Sequence, residues 1–446
     1  MKYNDTYKTR KSESWPKIRK FFNDVHLWLG LISGIIIFLV CISGTIYVFN
    51  TEIREMAAPH LYKVEHSKQE KLSIEQLMSL VKKESGGNVS AVKIPSNPER
   101  SYTITVKKQE PEQWGGAGEM NGKGESAAAE KPNRVSKSGN SSKSNFPGKG
   151  EKAAGPGGRG TPYMINPYTG EILGDTQSKT GATEFMGMMF SLHRWLLLDK
   201  IEEPLFGELE NRTLGSYITG AATILFTLGV LTGIVIWVPR RVRSWKQGLK
   251  VKWSGNWKRV NHDLHNSLGL YSCILLFLMG ITGPQWSFPW YREALRKSLG
   301  THQAENSPRP EPLLSVAPTP GAKASLLIED YLAIADKQLN YQGDYSISLP
   351  SDSAGVVVVS KNRTGFFASA AADKTTLDQY TGSVLSTEIF SSKPFNERVS
   401  GSIKALHIGD VYGMFSKILY FIACLIATSL PVTGTLIWIN KMKKSK

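Results

Sequence analysis

The chain has 446 residues and a formal net charge of +16 at pH 7, which makes it too long for one average soluble domain. A positive charge of this size often indicates a nucleic-acid partner. Here the basic residues lie beside long apolar runs, so membrane topology explains them better and no nucleic-acid partner is expected. The three cysteines, Cys41, Cys273 and Cys424, all lie inside apolar runs, which excludes a disulfide-stapled loop outside the membrane.

Four apolar runs are each long enough to cross a bilayer, which takes about 20 residues. They predict transmembrane helices at residues 25–49, 214–238, 264–288 and 411–440. The first run is too long for a cleavable signal peptide. Three short segments next to these runs are rich in Lys and Arg, namely residues 1–24, 239–263 and 441–446. The positive-inside rule places these three segments, and with them both termini, in the cytoplasm, and the long segments 50–213 and 289–410 outside.

The first long segment predicts a small α+β unit. Apolar residues at helical spacing follow Ser73, a favoured N-cap, and predict a helix over residues 73–84. Strands are predicted at residues 91–94 and 101–106, and a tight turn at 166–170 joins two more. Between residues 109 and 160 the composition is dominated by Gly, Ser, Lys, Glu, Ala and Pro, which predicts a disordered insertion.

The second long segment repeats this plan. A helix is predicted at residues 324–338, strands at 345–349 and 356–359, and the turn Tyr380-Thr381-Gly382 repeats Tyr168-Thr169-Gly170. The second and fourth spans also end alike, in LTGIVIW and VTGTLIW. The chain therefore reads as a tandem duplication. The predicted fold class is membrane α+β, with a bundle of four transmembrane helices and two extracytoplasmic α+β domains.

Four histidines occupy matched positions in this duplication. His26 and His265 lie near the start of the first and third spans, whereas His193 and His407 lie just before the second and fourth. A low-spin haem iron takes two axial imidazoles on opposite faces. The repeat therefore predicts two bis-histidine haems, His26 with His265 and His193 with His407, one near each side of the membrane. The sequence has no CxxCH motif, so the haems would be non-covalent, b-type haems.

Residues next to these histidines could contribute to haem binding, but each of them also has a structural explanation. Gly30 and Gly269 lie one turn beyond His26 and His265 and would let a flat macrocycle approach the helix, or would simply allow close helix packing. Arg194 would pair with haem propionates or fix the depth of its helix. His262 lies one turn before His265, so it is an alternative ligand or a propionate contact. We favour His265 because it aligns with His26.

The helix starts H-x-x-x-G-L, the turns (N/D)-x-Y-T-G and the span ends T-G-x-x-x-W resemble the PepSY-associated transmembrane helix family. The resemblance covers most of the chain apart from the 109–160 insertion, and it is nearest to the siderophore reductases of the bacterial inner membrane. It implies two periplasmic PepSY-like domains, two bis-histidine b-type haems, and delivery of electrons to ferric siderophores in the periplasm.

The expected function is therefore a haem-dependent ferric-siderophore reductase that releases ferrous iron. Its electron donor is unidentified, because the cytoplasmic segments are too short for a flavin or nucleotide domain; a separate reductase or a membrane quinol would serve. Two other functions stay open. One is a non-enzymatic membrane protein that binds or regulates a periplasmic peptidase or uptake partner, and the other is a haem electron carrier for another periplasmic acceptor.

Overall fold

The computed structural model describes residues 14–65, 69–107, 160–176, 178–238, 245–304, 311–317, 326–363 and 372–445. The predicted insertion at 109–160 lies outside these residues, except for Gly160. The helices are α1 Ser14–Tyr47, α2 Asn50–Ala57, α3 Pro59–Tyr62, α4 Ile74–Ser85, α5 Gly181–Trp195, α6 Asn211–Trp237, α7 Trp245–Gly248, α8 Trp257–Thr282, α9 Pro289–Ser298, α10 Ile328–Gln338, α11 Phe395–Gly401, α12 Ile403–Ile408 and α13 Gly413–Ser445. The strands are β1 Asn88–Ile94, β2 Tyr102–Lys107, β3 Thr161–Ile165, β4 Ile172–Asp175, β5 Gly343–Ser348, β6 Val356–Arg363, β7 Asp373–Asp378 and β8 Val384–Glu388.

Four of these helices, α1, α6, α8 and α13, are long and apolar enough to cross a membrane, as predicted. Helix α1 packs against α6 and α13, and α8 packs against the same two helices. The four helices therefore form a bundle in which α1 and α8 lie at opposite corners. Helix α8 begins at Trp257, well before the predicted start at residue 264, because the Asn256 side chain accepts a hydrogen bond from the Arg259 N–H and caps a polar first turn.

The centre of the bundle is packed with small and aliphatic side chains. Leu276 of α8 contacts Ala423 and Ala427 of α13, and all three are buried. Gly280 of α8 allows a closer approach to α6, because a Cβ atom there would lie 2.3 Å from the Thr227 hydroxyl oxygen. Small residues at such crossings let helices pack closely where lipid offers no hydrophobic driving force.

The two long segments between the spans join in one eight-stranded antiparallel sheet, ordered β4-β3-β2-β1-β5-β6-β7-β8. The first four strands come from the first repeat and the last four from the second. They meet where β1 pairs with β5, with Val92 opposite Ile347. The sequence predicts the two α+β units but not their union into a single sheet, here called the sheet domain.

Helices α4 and α10 pack on one face of this sheet and share one hydrophobic core. Leu77 and Val81 of α4, Ala335 of α10 and the strand residues Ile347 and Val359 are among its fully buried side chains. The predicted N-cap is confirmed, since the Ser73 hydroxyl accepts a hydrogen bond from the Gln76 N–H. Helix α10 begins at Ile328, and the predicted start at residue 324 lies outside the described residues.

The two halves of the sheet domain also cap each other. The first backbone N–H of α4, at Ile74, donates to the carboxylate of Glu329 in α10, and the Ile328 N–H donates to Glu75 in α4. A carboxylate favours the positive end of a helix dipole. This exchange therefore fixes the two helix starts side by side across the seam between the repeats.

The predicted turns have the same geometry in both halves. Gly170 and Gly382 have φ of 72° and 70°, a left-handed conformation that favours glycine. The first turn residue differs, because Asn166 accepts one backbone N–H, from Tyr168, whereas Asp378 accepts those of Val316, Tyr380 and Thr381. Burial opposes ionisation of Asp378, but these backbone donors keep its pKa below the usual range.

Candidate functional site

The structure brings the four aligned histidines together in two pairs. The rings of His26 and His265 have centroids 6.2 Å apart, and the rings of His193 and His407 are also separated by 6.2 Å. All four side chains are half-buried. His26 and His265 lie at the end of the bundle away from the sheet and are here called the remote pair; His193 and His407 form the sheet-side pair.

The spacing within each pair fits two imidazoles bound to one metal ion. A metal–imidazole bond is about 2 Å long, and the nitrogen lies about 1 Å from its own ring centroid, so two imidazoles on opposite sides of one ion have centroids about 6 Å apart. Both pairs are close to this value, although the histidines of the two pairs lie on different kinds of helix. Within the described residues no group of three or more His, Cys, Asp or Glu side chains is arranged to hold a metal ion.

In the remote pair, each Nδ1 atom is bonded to the C-terminal half of a neighbouring span. The Nδ1 atom of His26 lies 3.0 Å from the Gly229 carbonyl oxygen and 3.1 Å from the Thr232 hydroxyl, both on α6. The Nδ1 atom of His265 lies 2.9 Å from the Thr433 hydroxyl on α13. Each histidine of this pair is therefore oriented by the last span of its own repeat.

In the sheet-side pair the acceptors come from the two helices that carry the remote histidines. The Nδ1 atom of His193, on α5, lies 2.9 Å from the Val40 carbonyl oxygen of α1. The Nδ1 atom of His407, on α12, lies 3.0 Å from the Thr282 hydroxyl of α8. Helices α1 and α8 thus supply a histidine near one end and a histidine acceptor near the other.

These contacts assign the tautomer of every ring. A carbonyl oxygen can only accept, so His26 and His193 carry their proton on Nδ1. His265 and His407 also have backbone hydrogen bonds, to the carbonyl groups of Leu430 and Met279, so these two rings carry their proton on Nδ1 as well. The Nε2 atoms therefore keep their lone pairs, and the structure gives them no hydrogen bond within the described residues. A histidine that binds a metal through one ring nitrogen usually donates a hydrogen bond from the other ring nitrogen to a nearby acceptor.

A glycine lies against each of the four rings. A Cβ atom at Gly233 would lie 3.2 Å from His26 Cε1, and one at Gly434 would lie 3.2 Å from His265 Cε1. The corresponding distances are 3.1 Å from Gly44 to His193 Cε1 and 3.4 Å from Gly283 to His407 Cε1. A side chain at Gly233, Gly434 or Gly44 would crowd the ring, whereas a Cβ atom at Gly283 would be in ordinary contact with it. All four spans therefore provide a glycine platform for one histidine.

Each glycine follows a serine or threonine, and sequence reasoning missed the role of these dipeptides. They are Ser43-Gly44, Thr232-Gly233, Thr282-Gly283 and Thr433-Gly434. In every case the hydroxyl donates back to its own helix, three and four residues earlier. The signal that could have found them is the recurrence of such a dipeptide toward the C-terminal end of every span.

The predicted glycines Gly30 and Gly269 do not touch the histidines. A Cβ atom at Gly30 would meet no atom within 4 Å, and one at Gly269 would meet only Leu430 Cδ2 at 3.8 Å. These positions border open space beside the remote pair. The space beside Gly30 and Gly269 is compatible with the predicted approach of a macrocycle. The glycines that contact the histidine rings are instead Gly44, Gly233, Gly283 and Gly434.

The two candidate side chains beside the histidines have distinct positions. His262 is exposed and contacts Asn266 and Asp263, whereas His265 is the residue placed opposite His26.

Arg194 donates to the Trp286 carbonyl oxygen at 3.4 Å. The Trp286 ring packs against the His407 ring with centroids 5.0 Å apart and is 37% exposed. Arg194 and Trp286 therefore lie between the sheet-side pair and the surface.

Comparison with known proteins places this arrangement in a family. The family model described as the PepSY-associated TM region matches residues 24–441. The match includes all four histidines and all four spans, apart from the first residues of α1 and the last residues of α13. A comparison with proteins of curated function found no match.

Proposed function

The chain belongs to the PepSY-associated transmembrane family, and from its two histidine pairs we propose that it is a di-haem ferric-siderophore reductase of the bacterial inner membrane. Haem bound at the two pairs would supply reversible one-electron chemistry. Electrons would enter from a cytoplasmic or membrane donor and reduce a ferric chelate on the periplasmic side. Hard oxygen donors hold ferrous iron less firmly than ferric iron, so reduction would release the metal.

The single observation that carries this proposal is the repeated geometry of the pairs. Both have ring centroids 6.2 Å apart and Nδ1 bonded to a neighbouring helix, and no described residue forms a hydrogen bond with Nε2. A bis-histidine haem needs these three features from the protein, and a merely structural histidine needs none of them.

The placement of the pairs supports transfer across the membrane. On α1, His26 and the His193 acceptor Val40 are fourteen residues apart, and on α8, His265 and Thr282 are seventeen apart, which corresponds to about 20 to 25 Å along a helix. Most of a bilayer core about 30 Å thick separates the two sites. Basic residues at the remote end favour its placement in the cytoplasm, so the sheet domain would face the periplasm.

Residues at the sheet-side pair would face the substrate. Trp286 connects the His407 ring to the surface, and Trp290 beyond it is 60% exposed. Arg194 places a guanidinium group next to Trp286, where it would pair with haem propionates. The sheet domain lies at this same end of the bundle and would hold the chelate close to the exposed edge of the site. The electron donor would act at the remote pair and is proposed to be a separate reductase or a quinol.

The test is reoxidation of the reduced protein. Purified protein in detergent is reduced anaerobically and mixed with ferric siderophore in a stopped-flow instrument, while haem absorbance is followed together with capture of ferrous iron by a ferrous-specific chelator. We expect reoxidation with one ferrous ion formed per electron. His193→Ala, which alters the sheet-side pair alone, should abolish rapid reoxidation while leaving the remote haem bound.

Two results would contradict the proposal in different ways. Protein that is folded but free of haem would favour the non-enzymatic PepSY membrane protein. Haems that are reoxidised equally well by unrelated acceptors, or not at all by ferric siderophores, would favour the carrier for another periplasmic acceptor.

A further inference from the structure

Buried polar atoms without a partner are concentrated in the short helix α2, which follows the first span. Six buried side-chain nitrogen or oxygen atoms form no hydrogen bond among the described residues, and three of them belong to α2. These three are Asn50 Oδ1, Glu52 Oε2 and Arg54 Nε. A buried polar atom that the protein leaves unpaired indicates a bound water, ion or ligand. Helix α2 therefore has the composition of a binding surface.

Arg54 is the cation of this helix that lacks a counter-charge. The two carboxylates of α2 are already paired, because Glu52 binds Lys417 of α13 at 2.7 Å and Glu55 binds Arg100. No ion pair joins Arg54 to a described residue, and its Nε atom is buried. A cation that is removed from water needs an anion to offset the loss of hydration. The anion that fits a planar guanidinium group best is a carboxylate or phosphate, bound through two parallel hydrogen bonds.

The neighbours of Arg54 place it next to the sheet-side pair. Its positive charge acts on the phenol of Tyr47. The Tyr47 ring packs against the Phe190 ring with centroids 5.4 Å apart, and Phe190 lies one turn before His193 on α5. Tyr47 also lies one turn after Gly44, the glycine that contacts the His193 ring. Helix α2 packs against α5 as well, so Arg54 lies where α5 leaves the bundle toward the sheet domain.

Arg54 and Arg194 approach the sheet-side pair from different sides. The Arg194 carbonyl oxygen accepts from the Thr219 hydroxyl, which places Arg194 beside α6. The Glu52–Lys417 ion pair instead holds α2 against α13. Helices α6 and α13 lie at opposite corners of the bundle. The two guanidinium groups therefore flank the space between the histidines on its outer side.

Resting on the proposed function, we propose that Arg54 binds one of the two propionates of the haem at the sheet-side pair and leaves the other to Arg194. The propionate is the carboxylate that Arg54 lacks within the described residues. Asn50 lies one turn before Arg54 on the same face of α2 and borders the same site. Because an added electron lowers the net charge of the haem, a fixed cation nearby favours the reduced form. Arg54 therefore raises the midpoint potential of this haem.

The experiment is a redox titration of the purified full chain followed by haem absorbance, with the resonance Raman spectrum of the propionate groups as a second readout. Arg54→Gln should shift the midpoint potential of one haem to a more negative value and leave the other unchanged. The shifted haem should be the one that His193→Ala removes. Its propionate bending band should shift too, which a merely structural role of Arg54 would not cause. Arg54→Lys keeps the charge and should restore most of the potential.

Arg100→Gln is the matched control. Arg100 contacts the same helix, but its charge is already paired with Glu55, so this variant should leave both potentials unchanged. Asn50→Asp supplies Arg54 with a competing carboxylate one turn away. It should shift the same haem in the same direction as Arg54→Gln, which keeps the inference testable if the glutamine variant does not fold.

The possible failures are distinguishable. Two bound haems with unchanged potentials and an unchanged propionate band in Arg54→Gln would overturn this inference alone, and so would equal shifts in Arg54→Gln and Arg100→Gln. Normal potentials combined with a higher half-saturating concentration of ferric siderophore would also overturn it, because they would assign Arg54 to the substrate. Wild-type protein without haem would overturn the proposed function itself.

Discussion

The remote and sheet-side pairs have the same ring spacing but are built from different parts of the fold. The remote histidines lie within the spanning helices α1 and α8, so the bundle alone builds that site. The sheet-side histidines lie on the short helices α5 and α12, which follow the last strand of each repeat, pack against the bundle and are held by acceptors on α1 and α8. The remote site therefore depends only on packing among the four spans, whereas the sheet-side site also depends on how α5 and α12 pack on those spans.

The difference also explains why α1 and α8 are the most constrained helices. Each carries a histidine of the remote pair and, about 20 to 25 Å away along the helix, an acceptor and a glycine for the sheet-side pair. A change in the rotation of either helix would disturb both sites. Helices α6 and α13, in contrast, provide their histidine acceptors and ring-contacting glycines to the remote pair.

The largest expected effect comes from removing a ligand. His265→Ala should reduce the haem content from two per chain to about one and spare the sheet-side haem, and His407→Ala should do the reverse, because each iron needs both imidazoles. Haem is quantified per chain after purification. His262→Ala is the matched control and should retain both haems. Loss of haem in His262→Ala with retention in His265→Ala would reverse our assignment.

A slightly smaller effect is expected from crowding the rings. Gly434→Val places methyl groups where a Cβ atom alone lies 3.2 Å from His265 Cε1, and Gly44→Val does the same to His193 from 3.1 Å. Overpacking of this kind costs about 1 to 3 kcal/mol, and we expect partial loss of the remote haem in the first variant and of the sheet-side haem in the second.

Gly229→Ala is the control for these variants, since a Cβ atom there meets nothing within 4 Å. It should bind both haems normally. If Gly434→Val and Gly229→Ala give the same haem content, the glycine platform has no role in orienting the ring.

The variant Gly30→Leu tests whether this position matters for haem binding or for the stability of the haem-free protein. A leucine at this position meets no protein atom near its Cβ, so the stability of haem-free protein should change by less than about 0.5 kcal/mol. Haem binding at the remote pair should nevertheless weaken if the macrocycle lies against this glycine. Thermal unfolding with and without haem measures both. Full haem retention in Gly30→Leu would mean that no macrocycle lies against Gly30.

The smallest expected effect lies in the sheet domain and compares its two turns. The lowered pKa of Asp378 means that its contribution to stability is present above the unfolded pKa of about 3.9 and is lost as the pH falls through the folded pKa. Asp378→Asn should therefore cost about 1 kcal/mol or more at neutral pH, and the difference in melting temperature from wild type should shrink as the pH approaches 3. Asn166→Ala should give a pH-independent difference, because Asn166 does not titrate. A constant difference for Asp378→Asn would refute this account of the turn.

The sequence predicts the features of this fold that follow from local patterns. Four apolar runs, the capped helix after Ser73 and the turns ending at Gly170 and Gly382 can be read from spacing and composition alone. The pairing of β1 with β5 cannot, since it joins residues about 250 positions apart and alternation does not specify a strand's neighbour. Helix α8 also begins seven residues before its predicted start, because hydropathy detects the apolar part of a helix and misses a capped polar turn.

The candidate site also has one part that the sequence predicts and one part that it does not. The four histidines are predictable because the duplication aligns them. Their acceptors are not, because Thr433 faces His265 only through the relative rotation of α13 and α8, which no pattern within either helix specifies. The choice between His262 and His265 likewise depends on which face of α8 is directed toward α1.

The most direct measurement of the central claim is haem stoichiometry combined with the absorbance spectrum of oxidised and reduced protein purified from iron-replete cells. We expect two non-covalent haems per chain, both low-spin and six-coordinate in each oxidation state. Folded protein without haem, or haem that is high-spin and bound by a single histidine, would contradict it.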